Sequence, residues 1–266
     1  MNDPTVPAGA GSSSISDDDR LRSLRRWNIG VGIAHLVQGL LILGLSNGFA
    51  IPVQGRVQDG PPGTPLTIDK VFFDLRFSAA IALFLFLAAA DHLLMATPGI
   101  RNWYEANLRR GINYARWIEY SVSASLMIVL IAMLPGITDL YALIGLFAVN
   151  AAMILFGLVM EQVNDRDRRV TWWPFIFGCF AGVVPWVAIT VALIASESEG
   201  TVPGFVYGIF VSLFLLFNCF GLNQWLQYRR RGKFANYLYG EKVYIVLSLI
   251  AKSALAWQVF AGTLAD

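Results

Sequence analysis

Lys252 is the residue whose position in the chain most strongly implies chemistry. It lies inside the apolar stretch 247–257, about ten residues into the last predicted membrane span. A lysine at that depth costs at least ~2.5–3.5 kcal/mol, so its presence indicates a functional site. Its amine can carry a buried positive charge or form an imine with a carbonyl compound. The alternative is a lysine paired for helix packing alone.

Glu119 can neutralise this charge. It is the deepest carboxylate of the predicted spans, about seven residues into the third. The third and seventh spans start from the same side, so at about 1.5 Å per residue Glu119 and Lys252 differ little in depth. A neighbouring carboxylate stabilises a protonated amine or a protonated imine, and we expect the two residues to meet. Arg116, near the start of the third span, is expected to extend to the membrane interface.

Both histidines of the chain fall in the half of the membrane that holds Glu119. His35 is in the first span and His92 is near the end of the second. A membrane histidine is as often a helix–helix hydrogen bonder as a proton site, but two together favour a polar, hydrated network. Gln38 follows His35 by one turn on the same face. The predicted polar cavity consists of His35, Gln38, His92, Asn113, Tyr120 and Ser123.

The composition places these residues in a membrane protein. Of 266 residues 56% are hydrophobic and 14% are charged, with a mean hydropathy of +0.57. A soluble domain is normally about a quarter charged. Cys179 and Cys219 lie in apolar runs and are expected to be small buried hydrophobes. We expect a disordered N-terminal tail over residues 1–22, without the order of a signal peptide, and one domain over 23–266.

Seven segments are apolar over the roughly 20 residues that a membrane-spanning helix needs. The predicted spans are 27–49, 71–96, 113–134, 139–160, 172–195, 203–227 and 242–264. Fifteen Lys and Arg residues flank them on one side and three on the other. Because positive loops stay in the cytoplasm, this bias predicts a cytoplasmic N-terminus and an extracellular C-terminus.

The first outer loop, about residues 50–70, predicts a short β-hairpin. Residues 51–58 alternate between apolar and polar types, and a Gly/Pro cluster follows at 59–63. An irregular linker is the alternative. An exposed strand edge in this loop could pair with a second copy of the chain.

At five stretches in order, 119–125, 149–157, 178–186, 202–208 and 247–257, the chain resembles the heliorhodopsins, microbial rhodopsins of inverted orientation. The resemblance covers all seven spans and implies an all-α, seven-transmembrane-helix rhodopsin-like bundle. It implies all-trans retinal on Lys252 as a protonated Schiff base, Glu119 as its counterion, and Ser248 near the Schiff base. The residues implied to line the retinal are Met127, Asn150, Met153, Ile154, Gly157, Trp186, Phe217 and Asn218.

Asp91 departs from the apolar residue expected in related sequences. It lies about 100° round the helix from His92, so we do not expect it to titrate with the site. Familiar proton pumps carry a second carboxylate one turn before the retinal lysine and a donor carboxylate eleven residues after the counterion. Ser248 and Leu130 occupy those positions in this chain. The sequence therefore favours a slow-photocycle light sensor or regulator over a pump, with a light-gated proton channel or transporter as the alternative.

Other classes fit less well. A seven-span metal hydrolase would need about three metal ligands, and the two histidines have no HExxH-type spacing. A receptor-like bundle without chromophore would leave the cost of Lys252 unexplained. We expect no enzymatic activity, no metal and no nucleic-acid partner. The resemblance favours a homodimer in a prokaryotic-type plasma membrane, in contact with the lipid bilayer and with an unidentified cytoplasmic signalling partner.

Overall fold

The computed structural model describes residues 16–66, 68–164, 169–200 and 202–264. Within these residues seven helices are long and apolar enough to cross a membrane, which confirms the predicted number. They are α1 (Asp17–Leu45), α2 (Phe77–Ala96), α4 (Tyr114–Met133), α5 (Leu140–Val163), α6 (Trp173–Glu199), α7 (Gly204–Arg229) and α8 (Tyr237–Val259), the last extended by a π-turn over Phe260–Leu264. A further helix, α3 (Pro98–Arg109), and a 3₁₀ turn (Gly232–Ala235) lie between spans.

The predicted C-terminal boundary of the disordered N-terminal tail was wrong. Residues 1–15 lie outside the described part of the chain, but α1 already begins at Asp17. The Ser16 side chain accepts a hydrogen bond from the backbone N–H of Asp19, and three aspartates occupy the first turn. An N-cap serine and negative charge both stabilise a helix N-terminus, which is why helix replaces tail here.

The predicted hairpin is confirmed. Strands β1 (Ala50–Val57) and β2 (Ile68–Arg76) pair antiparallel, with an irregularity between Val53 and Gln54. The span predicted from residue 71 therefore starts as strand, and α2 begins only at Phe77. The backbone N–H of Gln54 donates to the carbonyl of Thr138 at 3.0 Å, so the hairpin is attached to the turn between α4 and α5.

α4 is the central helix of the bundle. Its most apolar window is 72% buried, against 17% for α7, so residues on α4 face the interior on most sides. The helices α1, α4, α6 and α8 begin at the same end, which also carries the basic run 229–233; we call this end the basic side. α5 packs along α6 and α7 along α8, whereas the backbones of α6 and α7 stay apart. A gap is thereby left between α6 and α7.

α3 lies on the basic side and is amphipathic. It starts with Pro98, turns Tyr104 and Leu108 inward, and leaves Trp103 half exposed. Arg109 at its end pairs with Asp18 of α1 at 2.5 Å. The helix therefore packs on the basic side against the first turns of α1 and α8.

Candidate functional site

Lys252 of α8 meets Glu119 of α4 inside the bundle. Its Nζ donates to both carboxylate oxygens of Glu119, at 2.9 and 3.0 Å, and to the Ser248 hydroxyl at 3.2 Å. The side chains of Lys252 and Glu119 are only 3% and 7% exposed. The Tyr120 ring lies 4.9 Å from Nζ, and its hydroxyl donates to the carbonyl of Tyr244 at 3.0 Å. The helix rise had predicted this juxtaposition, because both residues lie at similar depth.

An apolar cavity of about 670 Å³ opens from Lys252 toward α5, α6 and α7. Seven of the predicted lining residues lie on its wall: Met127, Met153, Ile154, Gly157, Trp186, Phe217 and Asn218. Asn150 does not, because its amide donates to the Ser125 hydroxyl of α4 at 3.1 Å and the residue is 1% exposed. Asn150 thus joins α5 to α4, and its implied role beside the retinal stays a prediction.

The cavity is shaped by close packing of rings against glycine. A Cβ at Gly157 would run into the ring of Trp117, which the sequence reasoning missed as a lining residue. Trp186 packs edge-on against Phe210, Phe214 and Phe217, with ring centroids 5.2–5.8 Å apart. Such a wall suits a flat, apolar ligand held near the Lys252 amine.

His35 and His92 stack with ring centroids 5.9 Å apart and are buried. His92 Nδ1 lies 2.8 Å from the amide oxygen of Asn28, which joins α2 to α1. Asn28 was not predicted. Neither nitrogen of His35 has a hydrogen-bond partner among the described residues, and the same holds for the Ser123 hydroxyl. Gln38 instead accepts from Trp257 Nε1 at 3.0 Å.

The family model named Heliorhodopsin matches residues 24–264. This chain belongs to the heliorhodopsin family. The family implies a retinal chromophore, and an apolar, ring-lined cavity that ends on a buried lysine fits that group.

The fold is that of microbial rhodopsins. Similar solved structures include a light-driven proton pump from Leptosphaeria maculans, at 14% identity over 88% of this chain and 93% of that one, with a TM-score of 0.61. Thermophilic rhodopsin from Rubrobacter xylanophilus is 20% identical over 91% of this chain and 95% of that one, with a TM-score of 0.60. Cyanorhodopsin from a Tolypothrix species is 16% identical over 92% of this chain and 94% of that one, with a TM-score of 0.59. No curated protein matched the chain.

This heliorhodopsin holds a second buried ionic cluster, where the prediction for Arg116 was wrong. Arg116 is 4% exposed and does not extend to the interface. Its guanidinium pairs with Glu161 of α5 at 2.5 Å and with Glu241 of α8. Both carboxylates lie one residue outside the predicted spans 139–160 and 242–264, so span boundaries drawn from hydropathy hid them. A basic residue inside a span was the signal that a partner should be sought.

Asn113, predicted to line the polar cavity, instead forms hydrogen bonds within the Arg116 cluster. The backbone N–H of Asn113 donates to Glu161 at 2.9 Å and its side-chain amide donates to Glu241 at 2.6 Å. Trp117 Nε1 donates to Glu161 at 2.7 Å, so the cluster shares one residue with the cavity wall. Three helices of the heliorhodopsin bundle, α4, α5 and α8, are thereby joined on the basic side.

Asp91 of this heliorhodopsin is half-buried on α2, and its carboxylate is not part of the ion pairs around Lys252 or Arg116. Among the described ranges, no group of three or more His, Cys, Asp or Glu residues could hold a metal ion.

Proposed function

We propose that this heliorhodopsin binds all-trans retinal on Lys252 as a protonated Schiff base, with Glu119 as its counterion, and acts as a light sensor or regulator. The observation that carries the proposal is the bidentate contact between Lys252 and Glu119 at the closed end of the apolar cavity. When bound, the retinal supplies absorption of visible light.

The residues around Lys252 suit a permanent positive charge. Both Glu119 oxygens face Nζ, and Ser248 contributes a third oxygen at 3.2 Å. In a site this buried, each of these oxygens acts in a low dielectric and so interacts more strongly than it would in water. Glu119 therefore balances the charge without help from a second carboxylate.

The distribution of ionisable groups supports a sensor over a pump. In the described part of the chain, the buried charged or imidazole side chains are His35, His92, Arg116, Glu119, Glu161, Glu241 and Lys252. His35 lies at about the level of Lys252 along its helix, and none of the others lies between Lys252 and the end opposite the basic side. In that direction α4 continues as the buried apolar run 127–133. A pump needs a proton path on both sides of the Schiff base, and the arrangement here offers groups mainly on one.

The test is a visible spectrum of the protein expressed with all-trans retinal. We expect a visible band that is absent in Lys252→Ala and retained in Lys242→Ala, since Lys242 contacts the Trp27 ring, away from the cavity. A colourless wild type, or a band that persists in Lys252→Ala, would refute retinal attachment. A sustained, protonophore-sensitive pH change in illuminated cells would refute the sensor and favour proton transport.

The setting of the protein is part of the proposal. We infer a plasma membrane with the basic side facing the cytoplasm, a homodimer, and an unidentified signalling partner on the cytoplasmic side. The positive-inside rule supports the orientation, because the run 229–233 and Arg109 lie on the basic side. Labelling of single cysteines placed at Arg231 and at Asp59 in intact cells distinguishes the two orientations; labelling at Arg231 but not at Asp59 would reverse ours.

A further inference from the structure

The cavity extends past the level of Lys252 and Trp186 toward the basic side. Lys252 and Trp186 lie at similar distances from the starts of α8 and α6, so a retinal crossing the bundle between them stays at one depth. The cavity wall nevertheless continues down α6 from Trp186 to Phe175, near the basic side. These eleven residues correspond to about 16 Å of helix. This part is lined by Gly178, Cys179, Gly182 and Val183 of α6 and by Gly221 and Leu222 of α7.

This lower part of the cavity, which we call the α6–α7 groove, is open toward the bilayer. The backbones of α6 and α7 stay apart, and Val183 and Leu222 on its two walls are exposed. Cys179 is exposed there too, so the burial predicted for it was wrong. One leaflet of the hydrocarbon core is about 15 Å thick, close to the length of the groove. A chain entering from the basic side would therefore reach Trp186 without leaving its own leaflet.

The guanidinium of Arg229 lies at the basic end of the groove. The Arg229 guanidinium lies 5.6 Å from the Trp172 ring and 5.4 Å from the Trp225 ring. Trp172 in turn contacts Phe175 of the groove wall, with centroids 5.8 Å apart. Arg229 forms no ion pair with a carboxylate of the described residues. The two indoles hold the guanidinium in place, so that a positive charge suited to a phosphate lies at the basic end of the groove.

We propose that the α6–α7 groove binds one anionic glycerophospholipid of the leaflet on the basic side. Its phosphate lies at Arg229, between the two indoles, and one acyl chain fills the groove up to Trp186. Charge complementarity at Arg229 and the match between groove length and leaflet thickness select a phospholipid over an apolar molecule without a charged end. Binding does not depend on the response to light, but the acyl chain would contact the same tryptophan as the chromophore.

Native mass spectrometry of the full chain, delipidated in detergent and titrated with dioleoyl phosphatidylglycerol, tests this site. We expect one tightly retained lipid in the wild type and about fivefold weaker retention in Arg229→Gln. Arg231→Gln, which removes an equal charge from the same exposed run, is the matched control and should retain the lipid. Dioleoyl phosphatidylcholine should be retained less well than phosphatidylglycerol.

The acyl chain is tested separately. A Cβ at Gly221 meets nothing within 4 Å, so Gly221→Phe should fold and fill the groove, and the retained lipid should be lost. Gly145→Phe, also in open space but away from the groove, should keep it. If Gly221→Phe is unstable, Cys179→Phe fills the groove from α6. Equal retention in wild type, Arg229→Gln and either groove-filling variant would overturn the proposal, as would equal loss in Arg231→Gln or Gly145→Phe.

Discussion

Replacing Arg116 by glutamine should destabilise the protein strongly, because the guanidinium neutralises two buried carboxylates. Arg116, Glu161 and Glu241 are 4%, 3% and 1% exposed. Removing one partner of a buried ion pair costs about 3–5 kcal/mol, since the remaining charge stays out of water without compensation. Among the described residues, Glu161 keeps its hydrogen bonds from Asn113, Trp117 and Tyr237, whereas Glu241 keeps the one from the Asn113 amide. Glu241 should therefore carry most of the penalty.

A partly exposed ion pair on the same side provides the comparison. Arg101 and Glu105 of α3 are 3.5 Å apart, with side chains 35% and 28% exposed. An exposed pair contributes about 0.2–1 kcal/mol, so Arg101→Gln should change the free energy of unfolding several times less than Arg116→Gln. The double variant Arg116→Gln/Glu241→Gln should recover part of the loss, because an amide replaces the uncompensated carboxylate.

The assay is equilibrium unfolding in mixed detergent micelles, followed by loss of the visible band and by circular dichroism. The predicted order of stability is wild type, Arg101→Gln, the double variant and Arg116→Gln. If Arg116→Gln costs no more than Arg101→Gln, Arg116 is solvated at the interface and the buried cluster is wrong. If the double variant is less stable than Arg116→Gln, the penalty does not reside in Glu241.

Two further substitutions test the site itself. Glu119→Gln removes the charge 2.9 Å from Lys252 Nζ and should shift the visible band. The control Glu105→Gln, on α3, should leave the band in place. An unshifted band in Glu119→Gln would show that Glu119 is not the counterion. Gly157→Val places a Cβ against the Trp117 ring, which its hydrogen bond to Glu161 holds in position, so it should cost about 1–3 kcal/mol and lower the yield of coloured protein. Gly145→Val on the same helix meets open space, and an equal loss there would show that the α5 backbone, rather than the Trp117 contact, is responsible.

Hydropathy and helix rise were sufficient for the number of spans and for the meeting of Lys252 with Glu119. Both depend on depth in the membrane, and depth is a local property of the sequence. The short hairpin of the first outer loop was also predictable, since alternation and a Gly/Pro cluster are local signals.

The direction in which each polar side chain points was decided by tertiary packing. Arg116 turns to Glu161 and Glu241, which are far from it along the chain, and Asn113 follows it into that cluster. Asn150 turns to Ser125 and so leaves the cavity wall. The distance between α6 and α7, which opens the groove, follows from how every other helix packs. The depth of a residue in the membrane could be predicted from the sequence because hydropathy is a property of each residue. The direction in which its side chain points around the helix axis depends on the neighbouring helices, which only the tertiary structure supplies.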